Sequence, residues 1–229
     1  MDYGELRNKM KLAIPAMLLC MIGDYCIGIE PAGSKEIGLI ASSGWQSISD
    51  VRIAISNTAG MIGTVLYAIA AVSFVMLLRS ANTQNENVWD QRFLKLFYIS
   101  LIIGCLSFIY FHIACGGFIQ HYNVLFEATG GNAAEAERLL LRTFKVEAVP
   151  FIVLFIAFDA FATIAWIGLI IRRVISAPKL WVIAAPLVTA LIGQIIELIP
   201  LPFNGIGSGF ESLGWMLMFI VGMKYAAKE

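Results

Sequence analysis

Long apolar runs separated by short polar segments dominate the chain. Six runs are long enough to cross a bilayer, which takes about 20 helical residues each. They cover roughly residues 12–30, 53–78, 94–118, 147–171, 180–200 and 208–223. The pattern therefore predicts an all-α integral membrane protein in which residues 1–229 form one six-transmembrane helix bundle.

Composition agrees with this pattern and narrows the classes of function. Of the 229 residues, 59% are hydrophobic and only 14% are charged, whereas about a quarter of a soluble domain is charged. The formal net charge is zero, so the charge balance gives no reason to expect a nucleic-acid partner. The expected partners are membrane lipid and a lipid or small-molecule substrate.

Basic residues concentrate in alternate connections and predict an orientation, because cytoplasmic connections are rich in Lys and Arg. This rule places both the N-terminus and the C-terminus in the cytoplasm. The inner set is Arg7, Lys9, Lys11, Arg79, Arg92, Lys95, Arg172, Arg173, Lys179, Lys224 and Lys228, and the outer set is Lys35, Arg52, Arg138, Arg142 and Lys145. The expected location is the cell membrane.

Two outer connections are long enough to carry structure of their own. Residues 31–51 are too short and too mixed to span, so we expect them to lie at the membrane interface, where Trp45 is favoured. In the outer connection 119–146, Asn132 and Glu135 stand at the spacing of a helix-capping box. Apolar residues then repeat at helical spacing, which predicts an amphipathic helix across the outer mouth of the bundle.

Ionisable residues recur at a similar depth in five of the predicted spans. At a rise of 1.5 Å per residue, Asp24, Asp159 and Glu211 lie about 20 Å above the inner basic flanks of their spans. His112 and Glu197 lie about 25 Å and 27 Å above theirs. A bare charge in hydrocarbon costs roughly 3 kcal/mol. We therefore expect these side chains to face a polar cavity that opens outward.

Three further polar residues complete the predicted site. Asn57 lies near the outer end of the second span, on one face with Gly60 and Thr64. Gln194 shares a face with Glu197, and Arg52 either neutralises a carboxylate or anchors at the headgroups. The predicted substrate-binding residues are His112, Glu197, Glu211, Asn57, Gln194 and Arg52.

Paired carboxylates in a low dielectric suit two classes of function. They cannot both ionise easily, so one holds a proton and the pair can act as general acid and base. With Asp24 and Asp159 as catalytic residues, the site would hydrolyse a lipid or other amphiphile from the outer leaflet. The alternative is a transporter or receptor that binds a small polar or cationic molecule in an outward-open cavity.

No cofactor is expected from these residues. His112 together with Asp24, Asp159, Glu197 or Glu211 offers ligands for a metal, but zinc sites usually carry more His or Cys than this. The four cysteines lie in or beside apolar runs without a CxxC spacing, which favours buried free thiols.

Two short segments resemble a known family. Gly23-Asp24, followed by apolar residues, and Phe158-Asp159-Ala160 look like the paired aspartate segments of the lysoplasmalogenase-like membrane hydrolases. The resemblance covers about two dozen residues. It implies that two intramembrane aspartates, here Asp24 and Asp159, act on the head of a vinyl-ether lysolipid.

Overall fold

The computed structural model describes residues 2–226 and is almost entirely helical. Its long helices pack around a core of aromatic side chains, in which Tyr67 contacts Phe108, Phe158, Trp215 and Phe219. The helices are α1 (Tyr3–Met10), α2 (Ala13–Gly28), α3 (Asp50–Ala81), α4 (Val88–Ala128), α5 (Ala133–Phe155), α6 (Phe161–Ile171), α7 (Pro186–Ile196) and α8 (Phe210–Tyr225). The all-α fold expected from the sequence is confirmed.

Five helical segments between residues 2 and 226 are long and apolar enough to cross a membrane. They are Tyr3–Gly28, Asp50–Ala81, Val88–Ala128, Ala133–Ile171 and Ile206–Tyr225. This length and composition define a membrane protein.

The sixth predicted span, residues 180–200, is not confirmed as one helix long enough to cross a membrane. The structure divides it into a 3₁₀ segment, Lys179–Ala184, and the helix α7 of 11 residues. At 1.5 Å per residue α7 is about 16 Å long, about half of a bilayer's hydrocarbon thickness. Proline explains the break, because Pro186 has no N–H to continue a helix from the preceding turn and stands instead at the first position of α7.

The outer connection 119–146 also differs from its prediction. Helix α4 extends to Ala128, and a new helix begins after Asn132, whose side chain accepts a hydrogen bond from the N–H of Glu135. The cap is the one that the sequence predicts, but the helix after it does not stop at residue 146. It continues through α5, a π-helical turn at Ile156–Ala160 and α6. Only residues 129–132 separate α4 from α5.

The first and last described residues lie at the same end of the bundle. Arg172, at the end of α6, forms an ion pair with Asp90 in the first turn of α4. The N–H of Ser176 donates to the carbonyl of Tyr225 at the end of α8. Tyr3 and Ser80 line a small cavity at the same place. The connections expected to be inner therefore lie together, although Lys228 of the inner set falls outside the described residues.

A small sheet and a long connection form the other end. Strands β1 (Glu30–Pro31) and β2 (Phe203–Asn204) pair antiparallel. The segment 32–49 runs between β1 and α3 and contains a short 3₁₀ helix, Ser43–Ser47. Glu137 of α5 binds this segment by accepting hydrogen bonds from three consecutive backbone N–H groups, those of Leu39, Ile40 and Ala41.

Candidate functional site

A cavity of about 440 Å³ lies near the sheet end of the bundle, between α2, α4, α5 and the segment 32–49. Most of its wall is apolar or aromatic, and Asp24 supplies a carboxyl group. The lining residues are Asp24, Ile27, Gly28, Ile40, Trp45, Cys115, Phe118, Ile119, Phe144, Phe151 and Ser208. A concave, mostly apolar pocket with few polar groups is the usual form of a small-molecule site.

Asp24 lies in the wall of this cavity and is tied to two neighbouring helices. Its Oδ2 accepts a hydrogen bond of 2.7 Å from the hydroxyl of Ser212 on α8. Its Oδ1 lies 3.8 Å from Nε2 of His112 on α4. The side chain remains 24% exposed, so it can contact a molecule in the cavity.

His112 is buried behind Asp24, with 4% of its surface exposed. Its second ring nitrogen, Nδ1, lies 3.1 Å from the hydroxyl of Ser56 on α3. Ser56, His112 and Asp24 thus form a chain of polar groups across three helices. Ser56 is fully buried, so its hydroxyl can orient the imidazole but cannot attack a molecule in the cavity.

Two glycines create the space for this imidazole. A Cβ at Gly23 of α2 would lie 2.7 Å from Cε1 of His112, and a Cβ at Gly60 of α3 would overlap the same ring. The helices approach closely here because neither residue has a side chain.

Asp159 lies deeper than Asp24 and does not line the cavity. It belongs to the π-helical turn of residues 156–160 and is fully buried. Its Oδ1 accepts a 2.9 Å hydrogen bond from Nε1 of Trp215, whereas Oδ2 receives no N–H or hydroxyl group from residues 2–226. Phe158, the preceding residue, stacks on Trp215 with 4.3 Å between ring centroids.

Glu211 connects the two aspartates. Its carboxyl group is close enough to Asp159 and to Asp24 to interact electrostatically with both. Asp24, Glu211 and Asp159 therefore form a row that leads from the cavity into the bundle.

The other predicted site residues lie away from the cavity wall. Glu197 ends α7 and accepts hydrogen bonds from the backbone N–H groups of Gly205 and Gly207. Arg52 donates to the carbonyls of Cys26 and Ile29 at the end of α2. These two charged groups hold loops and helix ends together.

Two predicted amides also lie outside the cavity. Asn57 is half-buried against Gly116 of α4, and its Oδ1 is buried without a donor from the described part of the chain. The side chain of Gln194 is exposed on α7.

Sequence reasoning missed Ser56, Ser212 and the aromatic wall. A signal for Ser56 was present, since Ser56, Gly60 and Gly63 repeat small residues on one face of α3. The predicted residue, Asn57, is the next one in the chain and lies on the adjoining face of α3. For Trp45 and Phe144 no sequence signal was available, because they come from segments far apart in the chain.

Among the described residues, no group of three or more His, Cys, Asp or Glu side chains is arranged to hold a metal ion. The carboxyl groups form a row with His112 at its cavity end, and such a row offers no closed set of ligands.

The fold and this site define a helical membrane protein with carboxyl groups and a histidine beside an apolar cavity. The chain belongs to DUF6796, a family of unknown function that matches residues 1–229. Neither the curated proteins nor the solved structures contain a match to it.

Proposed function

We propose that this protein is an intramembrane hydrolase that acts on an amphiphile held in the cavity beside Asp24. The observation that carries the proposal is the position of Asp24, which presents a carboxyl group to an apolar cavity with His112 3.8 Å behind it. Apolar walls suit the chain of an amphiphile, and Asp24 with His112 supplies a general acid and base.

The proposed reaction uses water as the nucleophile. Asp24 takes a proton from a water molecule, whose oxygen attacks the carbonyl carbon or vinyl-ether carbon of the substrate. With a vinyl ether, the Asp24–His112 pair first gives a proton to the β-carbon of the alkene, and water then adds to the oxocarbenium carbon so formed and passes its own proton to the pair. In each case the bond to the leaving oxygen or nitrogen then breaks, and the leaving group takes up the proton from the Asp24–His112 pair. The 3.8 Å separation between Asp24 and His112 is compatible with this exchange, because catalytic hydrogen bonds are often long before substrate binds.

Asp159 has a different part in this proposal from the one that its sequence context suggests. It lies outside the cavity wall and hydrogen-bonds Trp215, so we assign it to the support of Glu211 and α8. Asp24 and His112 replace Asp24 and Asp159 as the acid/base pair.

The proposed orientation places the cavity near the outer leaflet. The described residues of the basic inner set belong to the end of the bundle where Arg172 meets Asp90, and such clusters are typical of the cytoplasmic side. In this topology α7 and the 3₁₀ segment before it together make the sixth crossing, and the membrane is the cell membrane.

Proton-coupled binding of a small cation or polar solute is the second candidate. The row of Asp24, Glu211 and Asp159 favours it, because the row extends beyond what hydrolysis needs. Such rows of carboxyl groups accompany proton movement in transporters.

The test is hydrolysis by the purified protein in proteoliposomes. The substrates are a monoacylglycerol, an N-acyl ethanolamine and a vinyl-ether lysolipid. Asp24→Asn keeps an oxygen for Ser212 but cannot carry the proton, so we expect turnover to fall by about 10²-fold or more. The control is Asp50→Asn, which changes an exposed carboxylate at the start of α3.

Full activity in Asp24→Asn would overturn the proposal. Absence of hydrolysis in the wild type, together with pH-dependent solute uptake that Asp24→Asn abolishes, would favour the second candidate instead.

A further inference from the structure

One end of the cavity carries acidic side chains. Among the described residues that line it, Asp24 supplies the carboxyl group, and Glu211 lies close behind it. Ser212, the residue after Glu211 in the chain, donates its hydroxyl to Asp24. A cationic head group at this end would stabilise the ionised form of Asp24, whereas an anionic head group would be repelled by that form, and both effects are strong in a medium of low dielectric.

The neighbouring cation, Arg52, does not compensate this charge in the cavity. Its Nε donates over 2.8 Å to the carbonyl of Cys26, and its Nη2 donates over 2.5 Å to that of Ile29. These carbonyls end α2, where the helix dipole favours a cation. These contacts hold the guanidinium at the end of α2, and Arg52 is not among the residues that line the cavity.

The cavity size indicates one chain. Its 440 Å³ is the space of roughly 15 groups the size of a water molecule, at about 30 Å³ each. The aromatic rings of Phe118, Phe144 and Phe151 line it on the α4 and α5 side. One alkyl or acyl chain of about this many carbons fits this space, whereas two chains of that length do not.

We propose that the cavity selects single-chain amphiphiles whose head group carries a positively charged nitrogen and no net negative charge, with Asp24 as the group that recognises the head. This inference rests on the proposed function only in taking the cavity as the binding site. It makes Asp24 a specificity-determining residue as well as a proton carrier.

Trp45 provides a direct test, because it lines the cavity. The probes are dodecylamine, dodecanol and dodecyl sulfate with bromine at the chain end, since bromine quenches tryptophan fluorescence on contact. Each is titrated into the full-length protein in neutral, uncharged detergent. The chain has five tryptophans. The Trp45→Phe variant reports quenching at the other four, so subtracting its signal from that of the wild type leaves the quenching of Trp45 in the cavity.

We expect the amine to bind at least tenfold more tightly than the sulfate, with the alcohol between them. Asp24→Asn should bring the amine and the sulfate to within about twofold, while Asp24→Glu and the control Asp50→Asn should keep the preference. The wild-type ratio decides the proposal even if Asp24→Asn does not fold. Equal binding of amine and sulfate, or tighter binding of the sulfate, would overturn it.

Failure of this inference is distinguishable from failure of the proposed function. An Asp24-dependent preference for the amine without any hydrolysis would support the inference and remove the hydrolase. Hydrolysis that depends on Asp24 without a charge preference would do the reverse.

Discussion

The imidazole of His112 occupies the space that a side chain at Gly60 would need. This relationship places a histidine between three helices and within 3.8 Å of Asp24. Because interiors are packed without spare volume, the position of the ring is set by residues that have no chemistry of their own.

Replacing Gly60 tests whether this packing positions His112. Gly60→Ala should push the ring away from Asp24, lower the free energy of unfolding by about 1–3 kcal/mol and reduce turnover. Gly117→Ala is the matched control, because a Cβ there meets nothing within 4 Å. It should leave activity unchanged and keep or raise the melting temperature. Equal effects of the two substitutions on activity would show that the space at Gly60 is not needed.

The sequence predicts most of the long helices, because they follow from local spacing. Asp24, His112 and Glu211 lie close together, as the depths counted from the inner flanks predict. Glu197 is an exception that depth alone could not identify. It has a suitable height, but its carboxylate binds the backbone of residues 205–207.

The cavity itself could not be predicted, because its wall is assembled from distant segments. Trp45 and Ile40 come from the segment after β1, whereas Phe144 and Phe151 come from α5. The π-helical turn that contains Asp159 was equally hidden, since nothing in residues 156–160 departs from an apolar helical pattern. Such turns are frequent at functional sites, but their position depends on packing.

Glu197 should prove to be structural. Glu197→Gln removes the charge of the carboxylate that accepts hydrogen bonds from the N–H groups of Gly205 and Gly207. Hydrogen bonds to a charged group contribute about 1.5–3 kcal/mol each. We expect a lower melting temperature with an unchanged preference among head groups. Glu127→Gln, which alters an exposed carboxylate of α4, should change neither. A loss of the head-group preference without a loss of stability would return Glu197 to the site.

Asp159 should tolerate an amide but not an apolar side chain. In Asp159→Asn the oxygen still accepts from Trp215, and the NH₂ group can donate to Glu211. In Asp159→Leu the buried indole N–H loses its acceptor, at a cost of about 1–3 kcal/mol. Thermal unfolding of the two variants in the same detergent should therefore differ clearly, with the Leu variant less stable. Equal stability would show that the hydrogen bond to Trp215 contributes little.

The proposed topology is tested by labelling from outside intact cells with a membrane-impermeant maleimide. Ala134 and Gln84 are both exposed, on opposite ends of the bundle. A cysteine at Ala134 should react and one at Gln84 should react only after the cells are opened. The unsubstituted protein controls for its four native cysteines. The reverse pattern would move the cavity to the cytoplasmic side.

The last prediction concerns access to the cavity. Glu137 holds residues 39–41 through both carboxylate oxygens, and Ile40 of this segment lines the cavity. In Glu137→Gln one oxygen becomes an NH₂ group, which cannot accept the N–H of a neighbour, so the segment should loosen.

Lys35 is exposed in the same segment, so trypsin should cut the Glu137→Gln variant there faster than the wild type. If the substitution makes opening of the segment easier by about 1.4 kcal/mol, cleavage should be about tenfold faster. Binding of the brominated amine should weaken together with this, because the segment supplies part of the cavity wall. Glu135→Gln is the matched control on the same helix, since Glu135 pairs with Arg138 at the surface and does not touch residues 39–41. Unchanged cleavage at Lys35 in the Glu137 variant would mean that the segment is held by its other contacts, among them the hydrogen bond from Asn123 to the carbonyl of Trp45.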